Sequence, residues 1–183
     1  MQAGFRRRQP PAFRLQQIGD FRLLRRNPLA TLLGLLPDLH QPLHVGRTED
    51  QGGNLVTLQW FDKATNLHAL WDEAMVEFEK FSYTEYAKLL DVLTPEERKK
   101  VQQGTYLDWA NESQELRADL YPSKDALKLG YAYHYKFKPL LRQRLQEGGL
   151  RLALIINNVF EERPLTANES KLREDIAKMP TRP

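Results

Sequence analysis

Between Asp38 and Asp72 the chain gathers three of its four histidines (His40, His44, His68), two aspartates and the pair Gly52, Gly53. This stretch restricts what can be built around it. Val56, Leu58 and Trp60 alternate with polar neighbours, the period of a short strand with one face covered. A turn is expected over Asp62 to Thr65. After it, Leu67, Trp71, Ala74, Met75 and Phe78 recur at helical spacing and define a core stripe. His68 and Asp72 stand four residues apart at the edge of that stripe, so the helix presents both from one side. The glycine pair marks a tight turn where backbone can approach a ligand closely.

The chain has no cysteine, so a metal must be held by imidazole and carboxylate, a donor set that suits zinc. His68 and Asp72 offer two donors. A third has to come from another segment, and His44, just after the Pro42 turn, is the obvious candidate. Purely structural roles compete with ligation. His134, between Tyr133 and Tyr135, reads as an aromatic-cluster or surface residue, and His40 as a structural hydrogen bond to the adjacent turn. For His44, His68 and Asp72, spacing alone leaves both metal binding and a structural role open.

With 183 residues, 41% of them apolar and 28% charged, the chain suits one folded domain with a core and tails. Charge is unevenly spread. The first 26 residues hold seven arginines against Asp20 alone, a balance of +6, so the other 157 net −3 of the total +3. The globular part therefore does not advertise a basic nucleic-acid face overall. The apolar run from Pro28 to Pro37 is too short to span a membrane and makes a poor signal peptide. Residues 1–31 form a basic lead-in without helical or strand period, expected to be disordered or foreign to the domain. The polar residues 162–183 read as a loose tail.

Helices account for most of what lies between. Leu29 to Leu36 reads as the end of a buried helix that Pro37 terminates. Thr94, Pro95 and Glu97 form a capping box with proline at the first helical position, starting a helix expected to reach Leu120. Leu129, Tyr133, Phe137, Leu140 and Leu145 mark another helix, expected to stop at Gly148 and Gly149. Leu150 to Phe160 then reads as a short, separate buried helix.

The stretch also resembles a known family. Asp38-Leu-His40-Gln-Pro-Leu-His44, then Gly52-Gly-Asn54, then Asn66-Leu-His68-Ala-Leu-Trp71-Asp72 is similar to the signature of the S-one/P-one nucleases, single-strand-specific enzymes with three zinc ions. A looser likeness continues through Trp109, Glu112 and Tyr121 to Gly149–Ala153, covering residues 32–161. The resemblance implies a mainly α fold: a partial helical bundle of the phospholipase C/nuclease type with one short hairpin or strand after the glycine turn. It implies that His44, His68 and Asp72 are the protein ligands of one zinc, that Asp38 is an aspartate bridging the other two, and that Asn54 lies on the substrate side. In that family zinc ions activate a water for in-line attack on phosphorus and stabilise the departing 3′ oxygen, giving 5′-phosphorylated products from single-stranded DNA, RNA or nucleotides.

Departures from the pattern limit what carries over. The family places a histidine four residues before the bridging aspartate; here that position is Gly34, and no histidine precedes His40. No tryptophan precedes Trp60, whereas the family uses an N-terminal one as a zinc ligand. The expectation is one complete zinc site, no complete catalytic set, and a truncated or frame-shifted start that leaves an apolar face open to self-association. Two classes of function follow: part of a zinc-dependent phosphodiester hydrolase, or a non-catalytic remnant or helical interaction module holding at most one zinc. Members of the family are typically exported, and the sequence itself leaves localisation open.

Overall fold

A computed structural model describes residues 28–160 apart from Lys124, with side chains from Leu33 to Asn158. The readings made for residues 1–27 and 162–183 lie outside the described residues. The chain divides into two compact units, one ending at Leu152 and the other beginning at Ala153. The sheet, the main core and the histidine-bearing loop all belong to the first.

The fold is mainly helical with a small sheet. Its elements are α1 (Pro28–His40), β1 (Thr57–Trp60), β2 (Lys63–Asn66), α2 (Leu67–Ala69), a π-helical segment (Leu70–Ala74), α3 (Met75–Phe78), α4 (Tyr83–Leu90), α5 (Pro95–Val101), α6 (Tyr106–Leu116), a 3-10 turn (Arg117–Leu120), β3 (Lys128–Leu129) and α7 (Tyr131–Phe160). Sheet order is β2-β1-β3, with β1 antiparallel to β2 and parallel to β3. As the alternation predicts, Leu58 and Trp60 point inward.

The expected turn at 62–65 is shorter in the structure. Phe61 and Asp62 both take positive φ (46° and 65°), the two-residue geometry that matches the twist of paired strands, so Lys63 already pairs with Trp60. Positive φ is costly for a phenylalanine. Its ring is held by stacking on Phe78 at 5.0 Å and by an edge contact with Tyr131 at 4.7 Å, which offset that cost.

Beneath the sheet, Leu67, Leu70, Trp71 and Met75 are all at most 2% exposed. The Trp71 indole N–H donates to the Tyr133 hydroxyl at 2.9 Å, which donates to the Leu120 carbonyl at 2.6 Å. One buried chain of hydrogen bonds thus ties the π segment, the 3-10 turn and α7 together.

Three other boundaries differ from expectation. Pro37 does not terminate α1, which runs on to His40 because Leu39 and His40 are themselves buried; one lost N–H near a helix end costs less than exposing them. The helix begun at Thr94 stops at Val101. Gly104 (φ 94°) breaks it, and a second capping box, Thr105 with Asp108, starts α6. The glycine pair at 148–149 does not stop α7, which is one helix from Tyr131 to Phe160. A Cβ at Gly148 would lie 3.3 Å from His40 Cγ, so the glycine lets α7 close on α1. Helix α4 was not anticipated, although Ser82 and Glu85 form a complete capping box at its start.

Candidate metal centre

The loop from Gln41 to Gly53 folds back onto the start of α2. Gly52 takes φ 64°, and a Cβ there would sit 2.4 Å from the Leu43 carbonyl oxygen, so only glycine fits. With the loop closed this tightly, the Gly52 carbonyl accepts the N–H of His68 Nδ1 at 2.8 Å. That bond fixes the tautomer and leaves Nε2 as the free donor atom.

His68 Nε2 lies 3.1 Å from Asp72 Oδ2, and His44 Nε2 lies 3.0 Å from Asp72 Oδ1. The two imidazoles stack with centroids 4.8 Å apart. Taking one donor atom from each residue, the three lie within 4.8 Å of one another, a group able to hold a metal ion. Asp72 falls in the π-helical segment, a local widening found often at functional sites.

The other residues singled out in the sequence lie outside this group of three donors. Asp38 stands behind the cluster, its carboxylate 3.6 Å from His44 Nδ1, where it orients the ring. Asn54 is exposed and turned onto its own loop, donating to the Gln51 carbonyl. His40 joins no cluster of ligands: its Nδ1 donates to the Leu36 carbonyl within α1, not to the turn, and its Nε2 faces Arg151. His134 packs on Phe78 at 4.8 Å.

Gln41 was not anticipated. Its amide donates to Asp72 Oδ1 at 2.8 Å while its carbonyl accepts the Leu43 N–H, so it fixes the carboxylate against the loop. Its place beside Pro42, between His40 and His44, is the signal that could have found it.

Electrostatics follow this geometry. Burial works against charging His44, but the carboxylates of Asp38 and Asp72 outweigh it and hold its pKa up to about 9. The Asp72 contact, opposed by burial and helped by the Gly52 carbonyl, raises His68 as well. Burial pushes Asp72 upward, yet the hydrogen bonds from His44, His68 and Gln41 prevail and keep it ionised far below the ordinary carboxylate range. Without a metal the cluster is a carboxylate between two imidazoles whose charged forms it favours. A divalent cation would compete with protons for these donors and would be held by His44, His68 and Asp72. The donor set and the anchored second nitrogens fit zinc.

Beside the cluster lies a cavity of about 370 Å³. Its lining includes the polar Asp38, His44 and Asp72 and the apolar Trp71, Val76, Leu141 and Leu145.

Residues 15–161 match the family described as S1/P1 Nuclease. The chain belongs to the S1/P1 nuclease family. Among curated relatives, Endonuclease 4 of Arabidopsis thaliana is 31% identical over 159 residues, covering 74% of this chain and 51% of that protein. Endonuclease 1 of the same plant is 31% identical over 153 residues (73% and 50%), and Endonuclease 3 is 33% identical over 146 (67% and 48%). The chain spans about half the length of the curated relatives it matches. S1/P1 nucleases are generally metal dependent, in keeping with the His44, His68, Asp72 group. Gly34, where the family pattern calls for a histidine, has nothing among the described residues within 4 Å of where a Cβ would stand.

Proposed function

We propose that this chain carries one zinc site of a phosphodiester hydrolase that cleaves single-stranded nucleic acid or nucleotides to 5′-phosphates. The observation that supports it best is the convergence of His44 Nε2, His68 Nε2 and Asp72, with each imidazole held from behind, by Asp38 and by the Gly52 carbonyl. A bound zinc supplies Lewis-acid neutralisation of charge on a phosphate oxygen. The chain's own residues do the positioning. Gln41 fixes the Asp72 carboxylate, and the apolar lining of Trp71, Val76 and Leu141 offers a dry surface for a base or sugar beside the charged group.

A second reading rests on Gly34, which stands where the family pattern calls for a histidine: a chain that binds one zinc and does not cleave. Zinc counted per chain by mass spectrometry, together with hydrolysis of a thymidine dinucleotide and of single-stranded DNA, separates the two. Zinc bound with cleavage, both lost in Asp72→Asn, supports the hydrolase. One zinc per chain without cleavage establishes the second reading, and a folded chain that takes up no zinc refutes both.

A further inference from the structure

We propose that the outer face of the first turns of α7 is a docking strip for single-stranded nucleic acid, separate from the metal-binding cluster. The proposal rests on the nuclease reading for its substrate class, but its observations are independent of the zinc ligands. Tyr131 and Tyr135 are 73% and 80% exposed. Large aromatic rings are seldom left so open on a helix that has a buried face available. They stand one helical turn apart, about 6 Å along the axis, and Lys138 continues the same face at the next turn.

Tyr131 is also held in place. Its ring meets Phe61 edge-on at 4.7 Å and Phe78 at 5.8 Å, and Gly130 beneath it has the Phe61 ring 3.4 Å from where a Cβ would be. A ring fixed from below and open above loses little freedom when a planar base lies on it. Base-on-aromatic stacking is tolerant of sequence and suits unpaired strands, whose bases are free to stack.

Charge agrees with this occupant. From Tyr131 to Gln146 there is no acidic residue, while Lys136 and Lys138 stand on this part of α7 and exposed Lys128 lies just before it. Arg142 is committed to Glu79, and the Lys136 ammonium lies over the Phe137 ring at 4.6 Å, a contact that keeps its charge. Although the chain beyond residue 26 is slightly acidic overall, this strip is locally basic and aromatic, the combination that tracks a phosphate backbone and stacks its bases. A lipid surface would call for apolar side chains in place of two exposed tyrosines.

The test is fluorescence anisotropy of a labelled twelve-residue oligothymidylate with the full chain, in EDTA so that nothing is cleaved. Tyr131→Ala/Tyr135→Ala should weaken binding at least about fivefold, and Tyr131→Phe/Tyr135→Phe should restore it, because the ring and not the hydroxyl carries the contact. Tyr135→Ala alone, a change at a ring that is 80% exposed, should give part of the loss with an unchanged melting curve. Lys136→Gln/Lys138→Gln should lower the slope of log K against log salt by about 1.4 for a single strand. Equal affinity of the wild type and both alanine variants, or equal binding of a duplex of the same length, overturns the proposal. Hydrolysis of a thymidine dinucleotide by the wild type and by Tyr131→Ala/Tyr135→Ala tests the nuclease reading separately. Failure there with ring-dependent oligonucleotide binding leaves the strip standing.

Discussion

Replacing Glu112 by glutamine should loosen the frame that carries the metal-site loop. Glu112 accepts from Arg151 Nη1 and Nη2 at 2.6 and 2.9 Å and from Arg144 Nη1 at 3.1 Å, and both arginine side chains are only 5% exposed. Those arginines also hold α1. Arg144 donates to the His40 carbonyl, Arg151 faces His40 Nε2, and Ser113 donates to the Leu39 carbonyl. Breaking a fully buried ion pair costs about 3–5 kcal/mol. Two facts reduce that here: the Glu112 side chain is 40% exposed, and Arg144 keeps Glu147. The expected loss is about 2–3 kcal/mol, or about 5–10 °C in melting temperature for a chain of this size.

The assay for that substitution is urea unfolding followed by tryptophan fluorescence, repeated from pH 7 to pH 4. Burial raises the Glu112 pKa, but the hydrogen bonds from Arg151 and Arg144 outweigh it and hold the carboxyl below its ordinary 4.5. A carboxyl depressed on folding stabilises above its unfolded value and loses that contribution as pH falls through the folded one. The gap between wild type and Glu112→Gln should therefore be full at pH 7 and begin to narrow below about pH 4.5. A difference under about 0.5 kcal/mol at pH 7 would show that the two guanidinium groups are satisfied without Glu112 and refute the reasoning.

Further outcomes are expected from the same structure. Wild type and Glu112→Gln alike should lose stability between pH 6.5 and about 4, by up to about 3 kcal/mol. Burial, with Arg144 and Arg151 nearby, lowers His40 to about 4, so the unfolded chain takes up the proton first; His40→Gln should flatten that slope. Zinc uptake at pH 7 should release at least one proton per chain, because His44 titrates at about 9, and calorimetry in buffers of different ionisation heat should show the release vanish above that pH. Gln41→Leu should weaken zinc about tenfold, as read by competition with a chromophoric chelator, and should also lower the melting temperature of the metal-free chain, because the Leu43 N–H loses its acceptor. Gly52→Ala should cost about 1–3 kcal/mol or more in chemical denaturation, since its Cβ would meet the Leu43 carbonyl at 2.4 Å in a left-handed backbone. Self-association through apolar residues such as Leu145, which is 41% exposed, should appear as a concentration-dependent shift in sedimentation.

The features legible in the sequence were those written locally. The alternation at Val56–Trp60, the stripe from Leu67 to Phe78 and the capping box at Thr94 each need only a few neighbouring residues, and the structure forms all three. The i, i+4 spacing of His68 and Asp72 is equally local, and the structure brings their side chains together. What could not be read depends on partners far along the chain. Pro37 and the pair Gly148, Gly149 carry helix-ending propensities, yet α1 and α7 pass through them because both helices serve one buried contact. The His40 ring lies against Gly148, and its backbone and ring meet Arg144 and Arg151, more than a hundred residues away. A glycine that ends a helix and one that lets another helix approach look identical until the partner is known. The same holds for Gly52: the sequence marks a tight turn there, but only the fold shows that its carbonyl orients His68. His40, next to the Leu39 carbonyl that Ser113 uses and four residues before His44, is thus not a spare ligand. It is the anchor that holds the end of α1, and with it the loop bearing His44, at a fixed distance from Asp72.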